Sequence, residues 1–163
     1  MPRRVRRGAD LRGLFGPAWA ALQARHAEMP RVSFEPMPDA VPARGFGAVA
    51  IPGRHQDGTS YAELTILVAA GWLYSAEDRA FLILAHEATH VLDYARYGEV
   101  RGHGEVFAAL ARELGLAAEK LTDGPRSGDY EAALTDSART EYAEAIKSLG
   151  VAWEKLGAVH WVV

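Results

Sequence analysis

At 163 residues, the chain is long enough to form one domain with a substantial hydrophobic core. Apolar residues make up 49% of it and charged residues 24%, which is ordinary for a soluble globular protein, and no apolar run is long enough to predict a transmembrane helix. The absence of cysteine excludes disulfides, thiolate metal sites, cysteine nucleophiles and the zinc deaminase pattern.

The charged residues are distributed unevenly. The net charge is −3, from 18 basic and 21 acidic residues, yet arginines crowd the N-terminus at Arg3, Arg4, Arg6, Arg7 and Arg12. We predict a basic, disordered arm over residues 1–12, which could contact nucleic acid or an anionic surface, and a single domain over 13–163. Residues 14–22 are mildly apolar, but Pro17 breaks the run, so no secretory signal is predicted and we expect a cytoplasmic protein.

One helix and three short strands are predicted in the first part of the domain. Pro17 suits the first position of a helix that covers residues 18–28. Alternating apolar residues predict strands over 31–35, 46–51 and 61–68, with a turn over 53–60 that contains Asp57-Gly58.

The longest predicted helix covers residues 77–97. Ser75 suits the N-cap, acidic residues follow in the first turn, and Gly98 is a stop signal. Apolar residues recur between them at spacings of three and four, which is typical of a helix that buries one face. Downstream, the pattern predicts a helix over 105–114, a loop over 121–129 and a last helix over about 130–149.

Strands that precede helices in the chain indicate an α+β fold. We expect a small, mostly antiparallel three-stranded sheet with the later helices packed on one face. These are the helix over 77–97, the helix over 105–114 and a C-terminal helical extension from about residue 130.

The most informative motif is His86-Glu87-Ala88-Thr89-His90, near the middle of the longest helix. In a helix, residues four apart lie on one face, so both imidazoles can bind one zinc ion while Glu87 acts as general base on a water. A third histidine, His103, follows thirteen residues after His90 and would leave one coordination position open, as in catalytic zinc sites. Zinc, water and Glu87 together would hydrolyse an amide bond.

The third ligand has alternatives. The pattern HExxHxxGxxH is excluded, because Asp93 and Arg96 stand where it needs glycine and histidine. A downstream helical glutamate could serve in place of His103, and three are available: Glu113, Glu131 and Glu141. Three imidazoles favour zinc but also accept manganese, cobalt or nickel.

Further candidates surround the motif. Asp93 could accept a hydrogen bond from a ligand imidazole, or it could belong to an unrelated salt bridge. Tyr94 and Tyr97 could stabilise an oxyanion, or they could be packing residues. The remaining histidines, His26, His55 and His160, have no motif partners.

At its two motifs the chain resembles the SprT-like and WLM-type zinc metallopeptidases, in which HExxH is followed by His-Gly-x-x-Phe at the start of the next helix. The second motif here is His103-Gly104-Glu105-Val106-Phe107, and the likeness covers about residues 31–115. The resemblance implies a minimal zincin fold, one zinc ion per chain held by His86, His90 and His103, Glu87 as base, and a protein or peptide substrate.

Two other functions stay open. Some SprT-like proteins act on proteins bound to DNA, and many carry a cysteine-rich zinc ribbon, whereas this sequence has no cysteine. Independently of this, a zincin-fold binding or regulatory module with a structural metal site, which could associate with DNA, is the alternative to an enzyme. A three-histidine nuclease is disfavoured, because its ligands follow a different spacing.

Overall fold

Five helices and nine short strands make up the part of the chain that the structure, a computed structural model, describes: residues 4–5, 10–38, 46–53, 55–56, 59–72, 75, 77–157 and 161–162. The helices are α1 (Leu11–Arg25), α2 (Glu77–Tyr97), α3 (Glu105–Glu113), α4 (Asp136–Glu141) and α5 (Ala143–Gly157). The strands are β1 (Arg4–Val5), β2 (Ser33–Pro36), β3 (Gly47–Ala50), β4 (His55–Gln56), β5 (Thr59–Ser60), β6 (Thr65–Val68), β7 (Ala117–Lys120), β8 (Tyr130–Ala133) and β9 (Trp161–Val162). This mixture confirms the predicted α+β class.

The helix with the histidine motif has the bounds that the sequence predicts. Glu77 and Asp78 place negative charge in the first turn of α2, where the helix dipole favours it. Gly98 follows the last turn with φ +77°, and its N–H donates to the carbonyl of Tyr94 at 2.8 Å. Glycine tolerates this left-handed conformation, so the stop signal works as predicted.

The main sheet has the strand order β2-β6-β3, and it is not mostly antiparallel as predicted. β3 pairs with β6 antiparallel, but β2 pairs with β6 in parallel. β6 is buried at all four positions, because helices cover one face and a small apolar cluster around Tyr61 covers the other. β6 is the central strand, so both of its edges are paired. β2, the strand that follows α1 in the chain, lies along the edge opposite β3 and runs parallel to β6.

Shorter strand pairs lie outside this sheet. β1 pairs with β9, and β4 pairs with β5, both antiparallel. The β4–β5 pair falls within the predicted turn over 53–60, whose Asp57-Gly58 lies outside the described residues.

The first helix begins earlier than predicted. α1 starts at Leu11, where the Asp10 side chain accepts a hydrogen bond from the N–H of Gly13 at 2.8 Å and so caps the helix. Leu11 is buried in the core, so residues 11–12 of the predicted arm belong to α1. Pro17 lies inside α1 and not at its first position, because the Asp10 cap sets the start six residues earlier.

Residues 130–133, predicted as the start of the last helix, form strand β8. β8 pairs antiparallel with β7, and the predicted loop over 121–129 joins the two strands. Glutamate and alanine favour a helix locally, but long-range pairing decides this segment. The C-terminal helices start at Asp136, where the Thr135 side chain accepts from the N–H of Ala138 at 2.9 Å.

The hydrophobic core lies between the helices and the sheet. α2 crosses it and packs against α1, α3, α5 and β3. One face of α2 is fully buried and includes Leu84, Ala88 and Leu92. Among the described residues, no helix combines the length and apolar character that crossing a membrane requires.

We expect Leu92→Ala to lower the free energy of unfolding by about 2–5 kcal/mol, because the truncation leaves a cavity beside the metal-motif turn. Leu82→Ala on the same helix is the matched control, since Leu82 is only partly buried and should cost clearly less. Urea denaturation of both variants measures the difference. Equal losses would contradict the burial assigned to the two faces of α2.

Candidate metal centre

Three histidine side chains converge at one point between α2 and α3. His86 and His90 lie one turn apart on α2, and His103 lies in the loop before α3. The Nε2 atoms of His86 and His90 are 3.2 Å apart, and the Nε2 atom of His103 is 3.1 Å from each of them. The structure therefore brings the three predicted ligands together as a possible metal site.

The geometry of this triangle fits a cation. Nitrogen ligands about 2.0–2.1 Å from a tetrahedral zinc ion lie about 3.3–3.4 Å from one another, close to the observed separations. An imidazole Nε2 is either a donor or an acceptor, so three that face one another cannot all be satisfied by hydrogen bonds. A metal ion would satisfy all three lone pairs.

Burial keeps these imidazoles neutral. His90 is only 7% exposed, and burial, followed by its two histidine neighbours, lowers its pKa to about 3. Burial, the charge of His103 and the charge of Arg126 lower the pKa of His86 to about 4. The pKa of His103 is also lowered, mainly by burial. A neutral imidazole offers its lone pair, so the group is ready to bind a metal near neutral pH.

Phe107 forms an apolar support for the three rings. Its ring centroid lies 5.0 Å from the centroids of His86, His90 and His103. It is buried on α3, at the last position of His-Gly-x-x-Phe. The sequence motif predicts no role for Phe107, whereas the structure places its ring in contact with all three imidazoles.

Glu87 is buried beside the histidine group. Its side chain is 5% exposed, and burial raises its pKa to about 8. Gly47 on β3 lies against Glu87 with no room for a side chain of its own. A Cβ atom at position 47 would be 3.2 Å from Oε1 of Glu87 and 2.9 Å from the ring of Trp72. Gly47 therefore leaves the space that this carboxyl and the ring of Trp72 occupy, a role that the local sequence around Gly47 does not signal.

Asp93 belongs to a salt bridge and not to the histidine group. Its carboxylate accepts hydrogen bonds from the backbone N–H and the guanidinium of Arg101. Within the described residues, Nδ1 of His90 has no hydrogen-bond partner. Of the two roles open to Asp93, the structure favours the salt bridge.

The two candidate tyrosines have packing contacts. Tyr94 packs against the hydrophobic core. Tyr97 is 51% exposed, and the guanidinium of Arg101 lies 4.0 Å from its ring centroid. These contacts fit the packing alternative, and they give neither tyrosine a place beside the three imidazoles.

The glutamates considered as third ligands have other partners or positions. Glu113 pairs with Arg96, and Glu141 pairs with Arg25. Glu131 is exposed on β8. The structure thus brings His103, and none of these glutamates, to His86 and His90.

His26, Glu28 and Glu113 form a second group of close ligand atoms. Arg96 lies between the two carboxylates, and its hydrogen bonds lower the pKa of Glu28 and of Glu113. Nε2 of His26 lies 2.9 Å from the backbone oxygen of Glu113. This group is therefore an exposed ion-pair network in which the guanidinium of Arg96 supplies the positive charge. The side chain of His55 and all of His160 lie outside the described residues.

No protein-family model, curated protein or solved structure matches this chain.

The stability of the metal-free protein should peak near pH 6.5. His86 and His90 have folded-state pKa values of about 4 and about 3, below their ordinary value of 6.5, so the unfolded chain takes up protons first and stability falls as the pH drops below 6.5. Glu87 acts in the opposite sense. Its folded-state pKa of about 8 lies above 4.5, so its contribution is complete below pH 4.5 and is lost as the pH rises to about 8.

We expect the free energy of unfolding to fall by roughly 1 kcal/mol between pH 6.5 and pH 8, because the loss from Glu87 exceeds the remaining gain from the two histidines, and we expect this fall to be absent in Glu87→Gln. Urea denaturation of chelator-treated protein at pH 5, 6.5 and 8 checks both limbs. The same alkaline slope in Glu87→Gln and in the unmodified protein would show that burial of Glu87 is not its cause.

Proposed function

We propose that this protein is a zinc-dependent metallopeptidase of the minimal zincin type, with His86, His90 and His103 as ligands and Glu87 as general base. The observation that carries the proposal is the convergence of three neutral imidazoles beside a buried carboxyl from the same helical turn. We propose protein or peptide substrates and a cytoplasmic location.

The donor set supports zinc. Imidazole nitrogen suits zinc, and three protein ligands leave a coordination position for water or substrate. A zinc ion in such a site lowers the pKa of water and polarises a carbonyl group. Burial of His90 and the ring of Phe107 limit access of bulk water, which strengthens electrostatic interactions there.

Glu87 has the chemistry of a general base. Burial raises its pKa to about 8, and a cation nearby would lower it toward neutrality. A carboxyl with a pKa near the working pH can take a proton from water and return it to a leaving amine. Gly47 lies against this carboxyl on the side of the sheet.

The sheet also supports a peptidase. β3 is an edge strand of the three-stranded sheet, and its first residue, Gly47, lies against Glu87. A peptide that paired with this edge would run past the carboxyl, a recognition mode that uses main-chain hydrogen bonds. The resemblance of the two histidine motifs to SprT-like metallopeptidases points to the same reaction.

We expect Glu87→Gln to keep zinc and to lower the rate of peptide hydrolysis at least about 100-fold, because the amide cannot accept the proton. Cleavage of a fluorescently labelled unfolded protein measures the rate. Glu119→Gln, the same change at an exposed position on β7, is the control and should leave the rate unchanged. Equal rates in Glu87→Gln and the unmodified protein would favour the binding or regulatory module.

We expect about one zinc ion per chain in the purified protein, and little in His86→Ala, His90→Ala or His103→Ala, because each removes one of three ligands. Metal content by mass spectrometry is the measurement, with His26→Ala as the control that should keep its zinc. Full zinc content in His103→Ala would move the third ligand to another residue and remove the basis for the family resemblance.

A further inference from the structure

A salt bridge between a buried carboxylate and a partly exposed arginine connects the helix of the first two histidines to the loop of the third. Asp93, one turn after His90 on α2, is 2% exposed. Its Oδ1 atom accepts from Nε and Nη2 of Arg101 at 3.1 and 2.8 Å, and its Oδ2 atom accepts from the backbone N–H of Arg101 at 2.9 Å. The carboxylate therefore holds both the main chain and the side chain of one loop residue.

Arg101 stands two residues before His103, with Gly102 between them. Gly102 has φ +78°, a conformation that glycine adopts without strain, so the loop can turn from the salt bridge into the histidine group. The guanidinium of Arg101 also lies 4.0 Å from the ring centroid of Tyr97, and this contact limits the movement of the arginine side chain.

The other side of His103 is held as well. The backbone N–H of Tyr130 donates to the carbonyl of His103 at 2.8 Å, and the Tyr130 hydroxyl donates to Glu105 at 2.7 Å. The hydrogen bond from β8 thus holds the carbonyl end of His103, while the bonds of Asp93 to Arg101 hold the chain two residues before it. Because the loop is held at both ends, it loses little conformational entropy when a ligand binds, and the binding free energy is reduced less.

We propose that Asp93 and Arg101 are positioning residues for the metal centre, which hold His103 within reach of His86 and His90. This inference rests on the metal site of the proposed function, but not on peptidase activity. The salt bridge is suited to the task, because a guanidinium donating through two nitrogens to a buried carboxylate fixes direction as well as distance. The third ligand would then be set in place before metal arrives.

The test is the zinc dissociation constant of Arg101→Gln in two backgrounds, the unmodified full-length protein and His103→Ala, measured by competition with chromophoric chelators. We expect Arg101→Gln to weaken zinc binding about 10- to 100-fold in the first background and less than about 2-fold in the second. A residue that acts through His103 loses its effect once the imidazole is gone, whereas a general structural effect would persist.

Arg96→Gln is the matched control. Arg96 is also a partly exposed arginine that pairs with carboxylates, but its partners Glu28 and Glu113 belong to the separate ion-pair network. It should change zinc affinity less than about 3-fold in both backgrounds.

Arg101→Lys guards against a variant that does not fold, because lysine keeps a positive charge beside buried Asp93 but cannot donate through two fixed nitrogens. We expect a loss of zinc affinity smaller than that of Arg101→Gln, again only when His103 is present. Near-ultraviolet circular dichroism of the metal-free variants reports whether they fold.

Equal losses in the two backgrounds, or no loss in either, would overturn the inference. An unmodified protein that binds no zinc would overturn both the inference and the proposed function. Zinc binding that depends on Arg101 through His103, without peptide hydrolysis, would remove only the proposed function.

Discussion

The mutual approach of three imidazole nitrogens is the constraint on which the rest of this site depends. Nε2 atoms 3.1–3.2 Å apart cannot all be donors or all be acceptors toward one another, and a cation between them would satisfy all three lone pairs. Burial reinforces this, because it holds the pKa of His86 and His90 far below neutrality and keeps their lone pairs free of protons. The same burial would be costly for a site with no ligand to bind.

The packing of α2 makes that approach possible. One face of the helix is buried among the other helices and the sheet, and this burial sets the rotation of α2 about its axis. His86 and His90 then face the loop before α3, and Glu87, which lies between them in the sequence, faces Gly47 at the edge of the sheet. The same helical turn thus places an imidazole against the ring of Phe107 and a carboxyl against Gly47.

Prediction from the sequence succeeds where the deciding interactions are local. α2 runs from Glu77 to Tyr97 as predicted, because its acidic first turn, its apolar periodicity and Gly98 are all signals within the helix or next to it. Prediction is wrong where distant pairing decides. β2 lies parallel to β6, and Tyr130–Ala133 forms a strand with Ala117–Lys120 although its residues suit a helix.

The sequence by itself determined the α+β class, the helix that carries the HExxH motif and the placing of His86 and His90 on one face, because helical periodicity relates residues four apart wherever the helix packs. Only the tertiary structure decided which distant residue completes the group. It placed His103 beside His86 and His90, and it paired Glu113 and Glu141 with arginines. These contacts join segments that are far apart in the sequence. It also decided the surroundings of Glu87 and the bond between Asp93 and Arg101, because these depend on how strands, loops and helices pack and on no pattern along the chain.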